Sequence, residues 1–198
     1  GVAQKLEMAH ALASLGVDIV EAGFAAASPG DEEAVRVVSG EVEGPIFCSL
    51  SRATESDIMA AHRALSHNRR RRLHIFLGTS PIHRQAKFNM TADEVLAQAV
   101  NAVAFARTMF DDVEFSAEDA IRTEPEFLGD VLEAVAAAGA QTLNVPDTVG
   151  YSTPAEIHEL FGYLKRHVID RLPGTILSAP CHDDLGMAVA NTLSALKA

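Results

Sequence analysis

Polar side chains that could bind a ligand or move a proton fall at the ends of several predicted β-strands. The strongest run is Val113–Glu118. The alternation of a strand places Glu114, Ser116 and Glu118 on one face and apolar residues on the other. A strand covered by helices is expected to be apolar on both faces. The polar face therefore indicates a pocket where a carboxylate such as Glu118 could act as an acid or base, with a structural glutamate paired to a basic residue as the alternative.

Two further predicted strands carry polar residues in equivalent places. His74 shares the parity of Phe76 and Gly78 in Leu73–Gly78, and a hydrogen-bonded core histidine is the alternative to a site residue there. Asn144 and Thr148 share a parity around Thr142–Val145, although Pro146 is predicted to end that strand before Thr148. His83 lies in the segment that follows Leu73–Gly78, where barrel enzymes place specificity residues.

His182 is the candidate metal ligand. It shares a parity with Ser178 in the predicted strand Thr175–His182 and is followed by Asp183 and Asp184. A neutral imidazole at the mouth of a barrel can bind a divalent cation, and nearby carboxylates can orient the ring. A hydrogen-bonded turn histidine remains the alternative.

The elements that would hold these side chains alternate strictly between helix and strand. Helices are predicted over residues 3–15, 31–39, 55–65, 92–109, 126–138, 154–168 and 185–197. Strands are predicted over residues 17–21, 46–50, 73–78, 113–116, 142–145 and 175–181. Such alternation predicts a parallel sheet, and the polar strand ends favour a barrel. A doubly wound sheet is disfavoured because the chain has no glycine-rich phosphate loop.

The count of strands predicts an incomplete barrel. A (β/α)8 barrel has eight strands, and the chain supplies six, with a helix before the first of them. We therefore expect an α/β fold, a partial (β/α)8 TIM barrel with the second to seventh strands and seven helices, lacking the first and eighth strands. Residues 1–198 are predicted to be one such catalytic domain without a C-terminal regulatory domain.

Composition excludes several classes of partner. The net charge of -11 repels nucleic acid and anionic lipid, and no apolar run is long enough for a membrane span. The basic run Arg69–Arg72 is predicted to be a solvated loop before a strand. Cys48 and Cys181 lie in predicted strands and are interpreted as buried, reduced thiols of a cytoplasmic protein. No G-x-S-x-G, HExxH or CxxC motif supports a hydrolase, zinc protease or redox enzyme.

Several runs, in order along nearly the whole chain, resemble 2-isopropylmalate synthase. They are Glu21-Ala22-Gly23-Phe24-Ala25-Ala26-Ala27-Ser28-Pro29-Gly30-Asp31, Cys48-Ser49-Leu50-Ser51-Arg52, Thr79-Ser80-Pro81-Ile82-His83, 113–120, 144–151, and Cys181-His182 with Asp184-Leu185-Gly186. Citramalate and homocitrate synthases and the hydroxymethylglutaryl-CoA lyases share the barrel with less similar loops.

The resemblance implies an acyltransferase of leucine biosynthesis. It would condense acetyl-CoA with 3-methyl-2-oxobutanoate in a Claisen-type reaction and hydrolyse the thioester. A divalent metal, Mn²⁺, Mg²⁺ or Zn²⁺, would polarise the oxo acid. By position, His182 would bind the metal and Glu118 would be catalytic. The substrate-binding residues would be Glu21, His74, Ser116, Asn144 and Thr148. The full-length relatives imply a homodimer.

One motif departs from the family pattern. The family has His-x-His-Asn-Asp where this chain has Pro180-Cys181-His182-Asp183-Asp184, so one metal ligand is missing. We therefore expect the chain alone to bind metal poorly and to turn over no substrate. The alternatives to the synthase are a citramalate or homocitrate synthase, and a truncated or degraded copy that is not catalytic.

Overall fold

The computed structural model describes residues 1–198 as alternating helices and strands. The helices are α1 (Val2–Leu15), α2 (Pro29–Glu41), α3 (Glu55–Leu65), α4 (Ala92–Arg107), α5 (Pro125–Ala137), α6 (Pro154–His167) and α7 (Ala188–Leu196). The strands are β1 (Ile19–Gly23), β2 (Ile46–Arg52), β3 (Arg71–Gly78), β4 (Asp112–Glu118), β5 (Thr142–Asn144) and β6 (Ile176–Ser178).

The strands form one parallel sheet in the order β1-β2-β3-β4-β5-β6. The sheet is open, because β1 and β6 are its two ends and do not pair with each other. The strands follow each other in sequence order without the reversal that marks a doubly wound sheet, as in a (β/α)8 barrel, so the predicted partial barrel is confirmed. None of the helices is both long and apolar enough to cross a bilayer.

Side-chain caps fix the ends of the helices around the second half of the sheet. Thr91 and Glu94 form the predicted capping box at the start of α4, with each side chain bonded to the other residue's backbone N–H. For α6 the cap is Thr153, whose hydroxyl accepts the Glu156 N–H. Gly139, at φ 116°, follows the end of α5 and confirms the predicted stop.

The contacts divide the chain into two compact units, and the first comprises Gly1–Ile75 and Ala104–Val113. In this unit α2 contacts α1, α3 and β1, and α3 contacts β2. Its fully buried side chains include Val35, Phe47 and Ile58. The apolar burial holds β1 and β2 in place, and these strands carry Glu21 and Cys48.

The second unit comprises Phe76–Val103 and Glu114–Ala198. Here α5 contacts β5 and α6, and α6 contacts α7. Phe115 and Ala117 of β4 are fully buried, as the predicted alternation with Ser116 and Glu118 requires. This core supports the polar ends of β4 and β5.

The last strand is shorter than predicted. It ends at Ser178, and beyond it only an isolated bridge joins Cys181 to Asp147. Pro180 has no N–H to donate to the ladder, which explains the early end. Cys48 is a buried free thiol as predicted, whereas Cys181 is only half-buried, so its predicted burial is wrong. Partial burial, with a contribution from Asp147, raises the pKa of the Cys181 thiol.

The basic run is not a solvated loop throughout. Arg71 and Arg72 belong to β3. The Arg72 side chain is buried and its Nε lies 3.0 Å from Asp112 Oδ2. Arg71 donates to the backbone oxygens of Leu65 and Met109. A long cationic side chain in a strand can satisfy its donors on neighbouring backbone, a tertiary effect that the run of four arginines did not indicate.

Candidate functional site

In the first unit, three side chains with ligand atoms converge on one face of the sheet. Glu21 of β1 is the register partner of Cys48 of β2, so the two side chains lie next to each other. His74 of β3 completes the group, with its Nδ1 2.6 Å from Glu21 Oε2. The Cys48 thiol lies 3.6 Å from the same oxygen. The predicted site residues Glu21 and His74 are thus in direct contact, and Cys48 joins them.

Cys48 was missed as a member of this group. Its thiol faces Glu21 because of the register between β1 and β2, and register depends on the packing of the helices against both strands. The sequence indicates the alternation within a strand, but it does not indicate which residues of neighbouring strands lie opposite each other. The family motif that begins at Cys48 was the only available signal.

In the second unit, Glu118 at the end of β4 is held by two basic side chains. Lys87 Nζ lies 3.2 and 3.0 Å from its two carboxylate oxygens. His83 Nε2 lies 3.4 Å from Glu118 Oε1. The Glu118 side chain keeps 22% of its surface exposed, so the paired carboxylate remains accessible. Lys87 was not predicted, since it lies 31 residues away in sequence.

His83 packs directly against the backbone of a glycine, Gly78. A Cβ at Gly78, the last residue of β3, would lie 2.6–2.7 Å from His83 atoms, closer than real contacts allow. His83 Nδ1 lies 2.9 Å from Ser80 Oγ and 3.1 Å from Asp119 Oδ2. The segment His83–Phe88 is a π-helical turn, which the sequence did not predict. Such turns are frequent at functional sites.

Asp119 links this turn to the end of β4. It adopts a left-handed conformation at φ 66°, its side chain is buried, and Arg122 Nε donates to it at 2.7 Å. Burial alone would raise the pKa of Asp119, but hydrogen bonds from Arg122 and Ser80 outweigh it and hold the pKa below its ordinary value. Asp119 is therefore an ionised anchor for His83.

The predicted substrate residues Ser116 and Asn144 are joined to Glu114 in a buried network. Asn144 is the register partner of Ser116. Asn144 Nδ2 donates to Glu114 Oε1 at 2.6 Å, and Ser116 Oγ donates to Asn144 Oδ1 at 3.1 Å. The network orients the amide of Asn144, because only one amide orientation satisfies both bonds.

Thr148 and His182 are joined through the loop after β5. The Thr148 hydroxyl accepts the Asp119 N–H at 2.8 Å, and the Thr148 carbonyl lies 2.6 Å from His182 Nδ1. A carbonyl only accepts, so Nδ1 carries the proton and the lone pair of neutral His182 lies on Nε2. A Cβ at Gly150 would lie 2.9 Å from the His182 carbonyl carbon, so glycine allows the close approach.

The side chains around His182 do not form a metal site. His182 has the tautomer of a metal ligand, with its other ring nitrogen bonded to a backbone carbonyl. Pro180, however, offers no donor, and Asp183 Oδ1 accepts the Ala188 N–H at the start of α7. A divalent cation needs about four or more ligands, and one histidine does not supply them. We therefore derive no catalytic step through a metal at this position.

A separate cavity in the second unit contains none of the predicted site residues. It has a volume of about 390 Å³ and lies between α5 and α6, with Ile121, Tyr151 and Tyr163 in its lining. It does not contribute to the groups around Glu118 or His182.

The chain matches the HMGL-like family over residues 1–198. The chain belongs to the HMGL-like family. It is 53% identical over 197 residues to the 2-isopropylmalate synthase of Aquifex aeolicus and 51% identical over 197 residues to that of Pyrococcus furiosus. It spans 37% and 39% of the length of these two HMGL-like relatives, while they cover 98% and 100% of it.

Solved structures of hydroxymethylglutaryl-CoA lyases share the fold of this chain. Hydroxymethylglutaryl-CoA lyase from Pseudomonas aeruginosa superposes with a TM-score of 0.79 at 19% identity, covering 99% of this chain and 66% of that one. An HMG-CoA lyase in complex with coenzyme A and 3-methylmalate gives 0.78 at 16% identity, covering 100% of this chain and 65% of that one. At these identities the similarity establishes the fold alone.

Proposed function

We propose that this chain is part of the catalytic barrel of a 2-isopropylmalate synthase. The observation that carries the proposal is the identity of about half of all residues, over nearly the whole chain, to proteins of that name from several organisms. The whole protein would condense acetyl-CoA with 3-methyl-2-oxobutanoate and water to give 2-isopropylmalate and CoA, a step of leucine biosynthesis.

The chain's own residues would bind the oxo acid and transfer a proton. Ser116, Asn144 and Thr148 of the second unit offer neutral hydrogen-bonding groups for the carboxylate and carbonyl of the oxo acid. Glu21 and His74, a hydrogen-bonded pair in the first unit, are assigned to substrate binding from the family resemblance. Ser116 and Asn144 are prepositioned by the network to Glu114, so little ordering is needed on binding.

Glu118 is the residue we assign to proton transfer. Its carboxylate would accept a proton from the methyl group of acetyl-CoA, and the resulting carbanion would attack the ketone carbon of the oxo acid. Two hydrogen bonds from Lys87 fix the direction of the carboxylate, and the Lys87 ammonium group provides a positive charge next to it. Water would then cleave the thioester and release CoA.

Further properties of the whole protein belong to the same proposal. For the whole protein we expect a divalent cation, Mn²⁺, Mg²⁺ or Zn²⁺, for which His182 would be the one ligand that this chain supplies; when bound, such a cation would polarise a carbonyl group. The relatives named 2-isopropylmalate synthase support acetyl-CoA as the second substrate. A cytoplasmic location and a homodimer remain predictions.

A chimera tests the function. The matching region of the Aquifex aeolicus relative is replaced by this chain, either unchanged or with Pro180→His and Asp183→Asn. We expect the restored chimera to prefer 3-methyl-2-oxobutanoate over pyruvate and 2-oxoglutarate by at least about tenfold in kcat/KM. We expect the unchanged chimera to be at least about a hundredfold slower, because a cation ligand is missing. Preference for pyruvate or 2-oxoglutarate would instead indicate a citramalate or homocitrate synthase.

A copy that is not catalytic is the second candidate, and Pro180 in place of a ligand is the observation that favours it. If the restored chimera is folded by circular dichroism but inactive on every oxo acid, the synthase proposal is wrong and this candidate replaces it.

A further inference from the structure

We propose that Glu21, Cys48 and His74 form a binding site for a thiophilic divalent cation of the zinc class. Each residue offers one ligand atom, and these atoms all lie within 4.8 Å of one another. The group lies entirely within the first unit and does not include His182.

The ligand types select the cation. Thiolate and imidazole together favour Zn²⁺ and its spectroscopic substitute Co²⁺, whereas Mg²⁺ and Ca²⁺ require sets of oxygen ligands. Cys, His and Glu are all residue types that bind zinc in proteins. Three protein ligands leave the fourth position of a tetrahedral zinc ion for water.

The distances need little adjustment. A thiolate about 2.3 Å and a carboxylate oxygen about 2.1 Å from one zinc ion are about 3.6 Å apart at the tetrahedral angle. The Cys48 Sγ to Glu21 Oε2 distance is already 3.6 Å. His74 Nδ1 and Glu21 Oε2, now 2.6 Å apart in a hydrogen bond, would separate to about 3.4 Å if both bound one zinc ion.

The surroundings allow entry and hold two of the ligands in place. Cys48 is 2% exposed and the His74 side chain 15% exposed, so the thiol and the imidazole are restrained by the strands that carry them. The Glu21 side chain is 43% exposed, so it can rotate, and a cation can approach from its side. The register of β1 with β2 sets the spacing between Glu21 and Cys48 before any metal binds.

A bound zinc ion would have a consequence for the proposed function. Glu21 and His74 are also proposed to contact the oxo acid, so zinc at this site would compete with that substrate. The cation site itself rests on geometry alone and is tested without substrate, so failure of this proposal leaves the proposed function untouched.

Cobalt binding tests the site. The reduced 198-residue chain is titrated with Co²⁺, and absorption is recorded before and after an excess of Zn²⁺. We expect one cobalt ion per chain, a sulfur-to-cobalt charge-transfer band, and loss of that band when zinc displaces cobalt. Cys48→Ser should abolish the band, and Glu21→Gln should weaken cobalt binding by at least about tenfold.

Two matched variants and a fold check make the result decisive. Cys181→Ser removes the other thiol, and His182→Ala removes the family's metal histidine; both should keep the band. Circular dichroism checks that each variant is folded. If the buried substitution Cys48→Ser prevents folding, Glu21→Gln still tests the site, because it changes a side chain that is partly exposed. Absence of the band in the unchanged chain, its loss in Cys181→Ser or His182→Ala, or unchanged affinity in folded Glu21→Gln would overturn the proposal.

Discussion

Lys87 shows how a single side chain outside the predicted set can control a candidate catalytic group. Its ammonium contacts both oxygens of Glu118 while keeping 47% of its own surface exposed. Ion pairs of this exposure stabilise a fold by only about 0–1 kcal/mol. Because the contribution to stability is small, the bond is better explained by its effect on the direction of the Glu118 carboxylate.

We predict that Lys87→Met lowers kcat/KM of the restored chimera by at least about tenfold while changing the free energy of unfolding by less than about 1 kcal/mol. Lys165→Met is the matched control, since Lys165 forms an exposed ion pair with Asp170 away from the site. Steady-state kinetics and thermal unfolding measure the two effects. Equal loss of activity in both variants would contradict the positioning role.

Asp119 is the residue whose charge should make stability depend on pH. Its pKa is lower in the folded chain than the ordinary value of 3.8, so the folded state favours the ionised form. A lowered folded pKa adds stability that is fully present above the ordinary pKa and is lost as the pH falls below it. The hydrogen bonds from Arg122 and Ser80 are the cause.

We predict that Asp119→Asn destabilises the chain by about 1–3 kcal/mol near neutral pH, because it removes the charged acceptor of a buried set of bonds. The difference from the unchanged chain should shrink as the pH falls below about 4. Urea unfolding at several pH values measures it, with Asp130→Asn on the exposed side of α5 as the control. A difference that stays constant down to about pH 3 would exclude this role for the charge.

At the scale of elements, the π-helical turn after β3 depends on the absence of a side chain. His83 lies directly against Gly78, and from that position it reaches Ser80, Asp119 and Glu118. A Cβ at Gly78 would contact the ring atoms and the Cβ of His83, and not the far end of a flexible side chain. Such a Cβ must therefore displace His83. The turn and the end of β4 are thus coupled by one glycine.

We predict that Gly78→Ala destabilises the chain by about 1–3 kcal/mol, the usual cost of overpacking. Gly129→Ala is the control, because its Cβ would make an ordinary 3.5 Å contact in α5 and should stabilise the helix slightly. Denaturant unfolding gives both values, and imidazole NMR signals report whether His83 has moved. Equal stability of the two variants, or an unmoved His83, would contradict the close packing of His83 against Gly78.

Elements were more predictable from the sequence than the contacts between them. Capping residues such as Thr91 and periodic apolar positions placed the helices and strands within a few residues, because these signals are local. The bonds of Glu118 to Lys87 and of Glu21 to Cys48 join residues far apart in sequence. They depend on strand register and on an unpredicted turn, which local patterns do not encode.

At the scale of the whole molecule, the open sheet favours association between copies of the chain, and the large negative charge opposes it. β1 and β6 end the sheet with unpaired backbone groups, and edges of this kind tend to pair with other chains. Ile176 on β6 is 59% exposed, which adds an apolar contact to that edge. The net charge of -11 keeps copies apart, and salt weakens this repulsion.

We therefore predict that the chain is monomeric at low ionic strength and associates as salt is raised, since the screening length falls from about 30 Å at about 0.01 M to about 3 Å at about 1 M. Ile176→Lys should suppress the association, because a lysine on the edge strand β6 would have to be buried, still charged, when another chain pairs with that strand. Val189→Lys is the control, because it adds the same charge at an exposed position of a helix and not of the edge strand. Sedimentation velocity across a salt series measures the mass of the associated species. If both lysine variants suppress the association equally, added charge explains the effect and pairing at the β6 edge does not.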